Sequence, residues 1–156
     1  HQIIIRGDGL EKFNNIIKEK TSIQPPSKNL EIKHDSNYLF AKNSPDQWSL
    51  VLTDKKEHNQ ITNLVSSINV NEDLLASDYS YGQVYFEISG ENKNFFLNKL
   101  TQFDLRLKKF PINSMAQTLI ARIDCSIYNL KSKYLVTCNK SFESYFKDRL
   151  KDIASL

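Results

Sequence analysis

The stretch Asp78–Leu100, DYSYGQVYFEISGENKNFFLNKL, decides how the rest of the 156-residue chain is read. Val84, Phe86 and Ile88 alternate with Gln83, Tyr85 and Glu87, the period of a strand with one buried face. Ser89-Gly90 ends that strand, and Phe96 and Leu100, four apart, place an apolar stripe on a short helix behind it. Alternation sends Phe86 inward and Tyr85 outward. Before the strand, Asp78, Ser80 and Gly82 lie in a polar turn that is either a small-ligand site or plain scaffold.

The same unit occurs earlier. Ile3–Ile5, Gly7, Phe13 and Ile17 correspond to the strand Val84–Ile88, then Gly90, Phe96 and Leu100, at an offset of 83 residues. Further on, Leu50-Val51, Asp54 and Lys55 match Leu135-Val136, Asn139 and Lys140 at an offset of 85, and Ile61 and Ile68 fall on Phe146 and Ile153. Within the first half, Asp8 suits a helix N-cap with Glu11 as its capping-box partner. Leu10, Phe13, Ile16 and Ile17 then share one helical face. Pro25-Pro26 closes that unit. Leu30 and Ile32, then Tyr38 and Phe40, suggest two strands about the turn His34–Asn37. The turn Asn43–Gln47 leads through Trp48 to a strand over Ser49–Thr53, and a helix follows from about Lys56 to Ile68. The polar, acidic segment Asn69–Ser77 reads as the connection. In the second half the strand-like runs are Ala116–Ile123 and Cys125–Leu130.

Each half is therefore β-α-β-β-β-α, and the fold class is α+β with mostly antiparallel sheets. A unit of this size is marginal as a core by itself. The expectation is one domain over residues 1–156 made of two intertwined halves, about 1–70 and 78–156, sharing their sheets.

The composition is that of an ordinary globular chain, 40% hydrophobic and 25% charged, with a net charge of +3. The lysines are dispersed, with short clusters only at Lys55-Lys56 and Lys108-Lys109, so a nucleic-acid surface is not expected. No apolar run approaches the ~18–20 residues a membrane span requires, and Ile3–Ile5 is too short for a signal-peptide core. His1 in place of an initiator Met suggests a tag remnant or a trimmed start. Cys125 and Cys138, each inside a strand, read as buried thiols of a cytoplasmic protein.

Little in the sequence carries chemistry. His1, His34 and His58 are scattered, and no Cys lies in a CxxC pair, so no metal site is expected. No nucleophile elbow is present, and Gly7 and Gly9 lack the third glycine of a dinucleotide loop. Asp78 and Asp104 flank the organising unit; either is a general base if buried and perturbed, though turn and cap chemistry is the expected use. Asp124, between Ile123 and Cys125, is expected to face outward. The aromatics around the unit could stack on a flat ligand, but packing is their commoner use. Tyr79, Tyr81, Tyr85, Phe95, Phe96 and Phe110 are candidates for a surface covered by a partner. At least one of Phe95, Phe96 and Leu97 is expected to face a partner, because three adjacent apolar residues exceed one helical stripe.

These residues also resemble a known family. The segment from Asp78 to Phe110 is similar to the strand–Gly–helix segment of the aminomethyltransferase (glycine cleavage T-protein) superfamily. More closely, Asp104-Leu105, Phe110-Pro111, Ala116-Gln117-Thr118 and Ser141-Phe142-Glu143-Ser144 resemble the gamma subunits of heterotetrameric sarcosine oxidases. Ser44-Pro45-Asp46-Gln47-Trp48 is similar to a Gly-Pro-Asp-Glu-Trp turn of that family. The resemblance implies a T-protein-like folate-binding fold and a structural subunit with no cofactor or catalytic residue of its own. Its complex demethylates sarcosine to glycine, with tetrahydrofolate as one-carbon acceptor and hydrogen peroxide as product. FAD, FMN, NAD, zinc and the folate site are then carried by other subunits, and the implied partners are alpha, beta and delta, chiefly alpha. The chain departs from the T-protein pattern at Arg122-Ile123-Asp124-Cys125, where a Gly-Gly loop and paired acids are the rule, and at Tyr81, where His is common. The alternatives are a stand-alone folate-binding protein of this fold, the small subunit of a related N-methyl amino acid dehydrogenase, or a basic nucleic-acid-binding module.

Overall fold

In the computed structural model, which describes residues 1–53 and 58–155, the chain divides into two compact units, His1–Ser80 and Tyr81–Leu156. The first unit runs β1 (Gln2–Arg6), α1 (Glu11–Thr21), β2 (Ile32–His34), β3 (Tyr38–Ser44), β4 (Gln47–Leu52), α2 (His58–Asn69) and β5 (Leu75–Asp78). The second runs β6 (Gln83–Ser89), α3 (Lys93–Asn98), β7 (Met115–Ile120), β8 (Ile123–Asn129), β9 (Lys133–Asn139), a 3-10 turn at Lys140–Phe142, and α4 (Glu143–Ala154). The β-α-β-β-β-α order is thus present twice.

Both sheets are antiparallel throughout, in the orders β2-β3-β4-β1-β5 and β7-β8-β9-β6. Each draws its strands from one half. The expected sharing of strands between halves does not occur among the described strands, because β4 and β9 each return beside the first strand of their own unit.

In the first unit, Ile3, Leu50 and Phe40 stand opposite one another on adjacent strands and form an apolar row across the sheet. Phe13 and Ile17 from α1 and Ile61 and Ile68 from α2 cover that row, each at most 1% exposed. The second unit repeats the row as Phe86, Val136 and Ile127, with Leu97 and Phe146 supplied by the helices. Phe86 faces inward, as alternation requires, with its ring 4.9 Å from that of Phe146. These ladders correct one correspondence. Leu50 matches Val136, an offset of 86 rather than 85, because a shift of one residue in a strand exchanges the sheet faces.

Three local expectations also change. Asp8 does not cap α1: Gly9 turns the backbone at φ +71°, Leu10 takes the N-cap, and the Asp8 carboxylate accepts the Leu10 N–H at 2.8 Å. The turn at Asn43–Gln47 shortens to Pro45-Asp46, since β3 extends to Ser44 past a register shift and pairs with Gln47. The supposed connection Asn69–Ser77 contains most of β5, which pairs along β1 while its Ala76 and the preceding Leu74 enter the core. The turn at His34–Asn37 forms as expected, closed by the Asp35 side chain and backbone. Asp54, Lys55 and Lys56, including the expected start of α2, lie outside the described residues.

Tight packing surrounds Trp48, which is 1% exposed, donates its indole N–H to the Pro26 carbonyl at 3.0 Å, and packs its ring 4.4 Å from that of Phe13. A Cβ at Gly7 would lie 2.4 Å from the Phe13 ring, so the close approach itself requires glycine there. Gly7→Ala is therefore expected to lower unfolding stability by about 1–3 kcal/mol, the usual cost of overpacking, read as a shifted urea midpoint. The opposite sign is expected at the β7–β8 turn. There Ala121 and exposed Arg122 both take left-handed backbone, φ +52° and +67°. Arg122→Gly should raise stability by up to about 1 kcal/mol in the same measurement.

Candidate functional site

The polar turn before β6 is built by Asp78 for structural ends. Its carboxylate accepts the Ser80 N–H at 3.0 Å and the Ser80 hydroxyl at 2.5 Å, while the Ser80 oxygen accepts the Gln2 N–H at 3.1 Å. Asp78 thereby ties the end of β5 to the start of β1.

Asp104 is similarly committed. It accepts the Arg106 N–H at 3.1 Å and two guanidinium nitrogens, the shortest contact at 2.6 Å. The Arg106 side-chain bonds, followed by the backbone bond, hold its carboxyl well below the usual range, at about 2. A general base working near neutral pH needs the opposite displacement. Asp124 faces outward and is exposed, as expected. It borders a polar hollow of about 590 Å³ with Gln83, Gln117, Ser126, Thr137 and Asn139; Asp104 is not among the residues lining it.

Cys125, standing where the T-protein pattern has its second acid, is 5% exposed and points into the core. It is directly opposite Cys138 on β9. Burial, and then Cys138, push its thiol up to about 12, so it is neither a nucleophile nor a substitute acid. Consecutive strand residues face opposite sides, so Asp124 and Cys125 do not form a paired site. Among the described residues no cluster of three His, Cys, Asp or Glu side chains could hold a metal ion.

The aromatic candidates separate into three groups. Tyr79, Tyr81 and Phe95 are 44%, 78% and 68% exposed, and Phe95 is the solvent-exposed member of its trio with Phe96 and Leu97. Phe96 is half-buried against the core, and Tyr85 is half-buried on the opposite sheet face, where burial raises its phenol and Thr137 hydrogen-bonds to it. Phe110 is a correction. It is 1% exposed and lies in the core, 5.3 Å from the Phe103 ring and 5.9 Å from the Tyr134 ring, with nothing left to offer a partner.

Two features escaped the sequence reading. A hollow of about 650 Å³ is lined by Lys99, Thr101, Gln102, Thr118 and Arg122. A groove of about 580 Å³ runs beside β6, with an apolar floor from Ile88, Phe96 and Leu150 and a rim that includes Gly90 and Ala154.

Glu143 is bound by Lys140 and Lys147, in that order of effect, and is held at about 2. For both Glu143 and Asp104 the folded pKa lies below the ordinary value, so their contribution is present at neutral pH and disappears as pH falls from about 4.5 towards 2. Asp104→Asn and Glu143→Gln are each expected to lower the thermal midpoint at pH 7 and to leave it unchanged relative to wild type at pH 2. Both groups are partly open to solvent, so the difference should shrink in 1 M salt.

Residues 26–155 match the model of the sarcosine oxidase, gamma subunit family. Among solved structures, the heterotetrameric sarcosine oxidase from Corynebacterium sp. U-96, in complex with pyrrole 2-carboxylate, contains a similar chain. It superposes with a TM-score of 0.85 at 18% identity, over 99% of this chain and 78% of that one. No curated protein matches at the sequence level. The family match covers most of the chain, and the structural likeness independently returns the duplicated α+β fold built above from the ladders. The chain belongs to the sarcosine oxidase gamma subunit family.

Proposed function

We propose that this chain is the gamma subunit of a heterotetrameric sarcosine oxidase and that its role in the complex is structural. The family match over residues 26–155 carries this reading. The fate of the candidate groups supports it: Asp78 and Asp104 are spent on turns, and Cys125 is a core thiol. On this reading the complex oxidises sarcosine to glycine, passes the methyl carbon to tetrahydrofolate and releases hydrogen peroxide. The flavins, NAD, zinc and folate belong to the other subunits, and this chain binds none of them. Its partners are the alpha, beta and delta subunits, with alpha the principal neighbour. A cytoplasmic location accompanies the proposal; among the described residues no helix is long and apolar enough to cross a membrane.

The exposed aromatics are the proposed contact residues. Large aromatic side chains contribute disproportionately when a partner buries them, and each of these is free to do so without unfolding its own unit. Co-expression with the other three subunits is expected to yield a complex containing this chain. Tyr81→Ser and Phe95→Ser should each weaken its retention by about tenfold or more while leaving the melting of the isolated chain unchanged. Absence of this chain from the purified complex under mild salt would reject the proposal.

A further inference from the structure

The turn between β7 and β8 consists of Ala121 and Arg122, which both hold left-handed backbone, at φ +52° and +67°. Among the described residues they are the one consecutive non-glycine pair in that region. Glycine or asparagine is the usual occupant, because a Cβ crowds the backbone there. Residues after α3 and on α4 hold the turn in place. The Ala121 N–H donates to the Leu100 carbonyl at 2.8 Å, and the Tyr145 hydroxyl donates to the Ala121 carbonyl at 3.1 Å. Beside them, the Thr101 hydroxyl donates to the Leu119 carbonyl at 2.7 Å. Strain of this kind persists only where the surroundings fix it, and it concentrates where a side chain must be presented in one place.

Arg122 is also the arginine without an acid. Of the four in the sequence, Arg6, Arg106 and Arg149 pair with Asp46, Asp104 and Asp152, whereas Arg122 has no carboxylate partner among the described residues. It lines the hollow of about 650 Å³ together with Lys99. The Lys99 ammonium lies 4.7 Å from the Phe95 ring centroid and likewise meets no carboxylate among the described residues. Gln102 and Thr118 add an amide and a hydroxyl to the wall, and no Asp or Glu is among the residues lining it. Asp124, two residues from Arg122, lines the other polar hollow instead. Two like charges in one concavity raise its positive potential, which an anion relieves.

We infer that this hollow binds a small, multiply charged oxyanion, with Arg122 as its bidentate donor and Lys99 as its second cation. A planar guanidinium carried on a fixed turn offers two parallel N–H groups to a phosphate or a carboxylate, and the ammonium adds a point charge. The Gln102 amide and the Thr118 hydroxyl supply donors for the remaining oxygens. A single carboxylate would leave one of the two cations unmatched, so the ligand carries at least two negative charges. The volume falls within the range of small-molecule sites, about 300–1,000 Å³. The strained turn then has a reason. Glycine at position 122 would relax the backbone and remove the guanidinium. This binding stands whether or not the chain enters an oxidase complex.

Titration of the full chain with inorganic pyrophosphate, and separately with citrate, tests this at low ionic strength through the backbone amide shifts of residues 99–102 and 119–122. A saturable shift centred on those residues is expected with at least one of the two anions, and the tighter binder tells phosphate from carboxylate chemistry. Sodium chloride at matched ionic strength should produce none. Arg122→Gly should weaken binding about tenfold even though it stabilises the fold, and Lys99→Gln should weaken it by a similar factor. Arg122→Lys, which keeps the charge but not the fork, should fall between wild type and Arg122→Gly. The inference is overturned if neither anion gives a saturable shift, if sodium chloride reproduces the shift, or if Arg122→Gly binds as tightly as wild type.

Discussion

In each unit the helices rest on one apolar row that crosses the sheet at right angles to the strands. In the first it is Ile3, Leu50 and Phe40; in the second, Phe86, Val136 and Ile127. These residues come from strands far apart in sequence, and only strict register places them side by side. Burying such side chains is worth roughly 1.5–3 kcal/mol each, and moving one strand by a single residue would turn its share towards the other face. The order of elements, the helix faces and the close contact of Gly7 with Phe13 are all arranged around keeping these rows closed.

That constraint also accounts for the quiet chemistry of the chain. Polar groups in catalytically suggestive places are consumed by the scaffold. Asp78 fastens the exit of β5, Asp104 stiffens the segment after α3 through Arg106, and the Asn139 side chain accepts from Ser141 to open the last helical stretch. Cys125 and Cys138 fill a cross-strand core position whose burial raises both thiols. A scaffold that spends its carboxylates in this manner suits the structural role proposed above.

The two units differ in how their sheets end. The first sheet carries β5 beside β1, and Asn69 at the end of α2 holds that strand by two hydrogen bonds to Ala76. In the second, among the described strands, β6 pairs with β9 alone, and a groove floored by Ile88, Phe96 and Leu150 lies beside it. Exposed Tyr81 and Phe95 belong to this second unit.

The sequence by itself determined the fold class and the duplication, because alternation in strands and three-to-four spacing in helices are local consequences of backbone geometry. It likewise placed Phe86 inward and Asp124 outward. The motifs of the second half pointed to the family that the comparison then matched. Only the tertiary structure decided matters that depend on what a residue meets. Phe110 looked like a surface aromatic until Phe103 and Tyr134 enclosed it. Asp8 looked like a cap until Gly9 turned the chain away from it. Asn69–Ser77 looked like a linker because Leu75, Ser77 and Asp78 of β5 are exposed and within the strand only Ala76 enters the core. The pairing of β5 with β1 was invisible for the same reason. Whether a strand has a neighbour is a property of its hydrogen-bonding direction, which lies in the plane of the sheet, whereas the pattern of side chains reports only on the two faces.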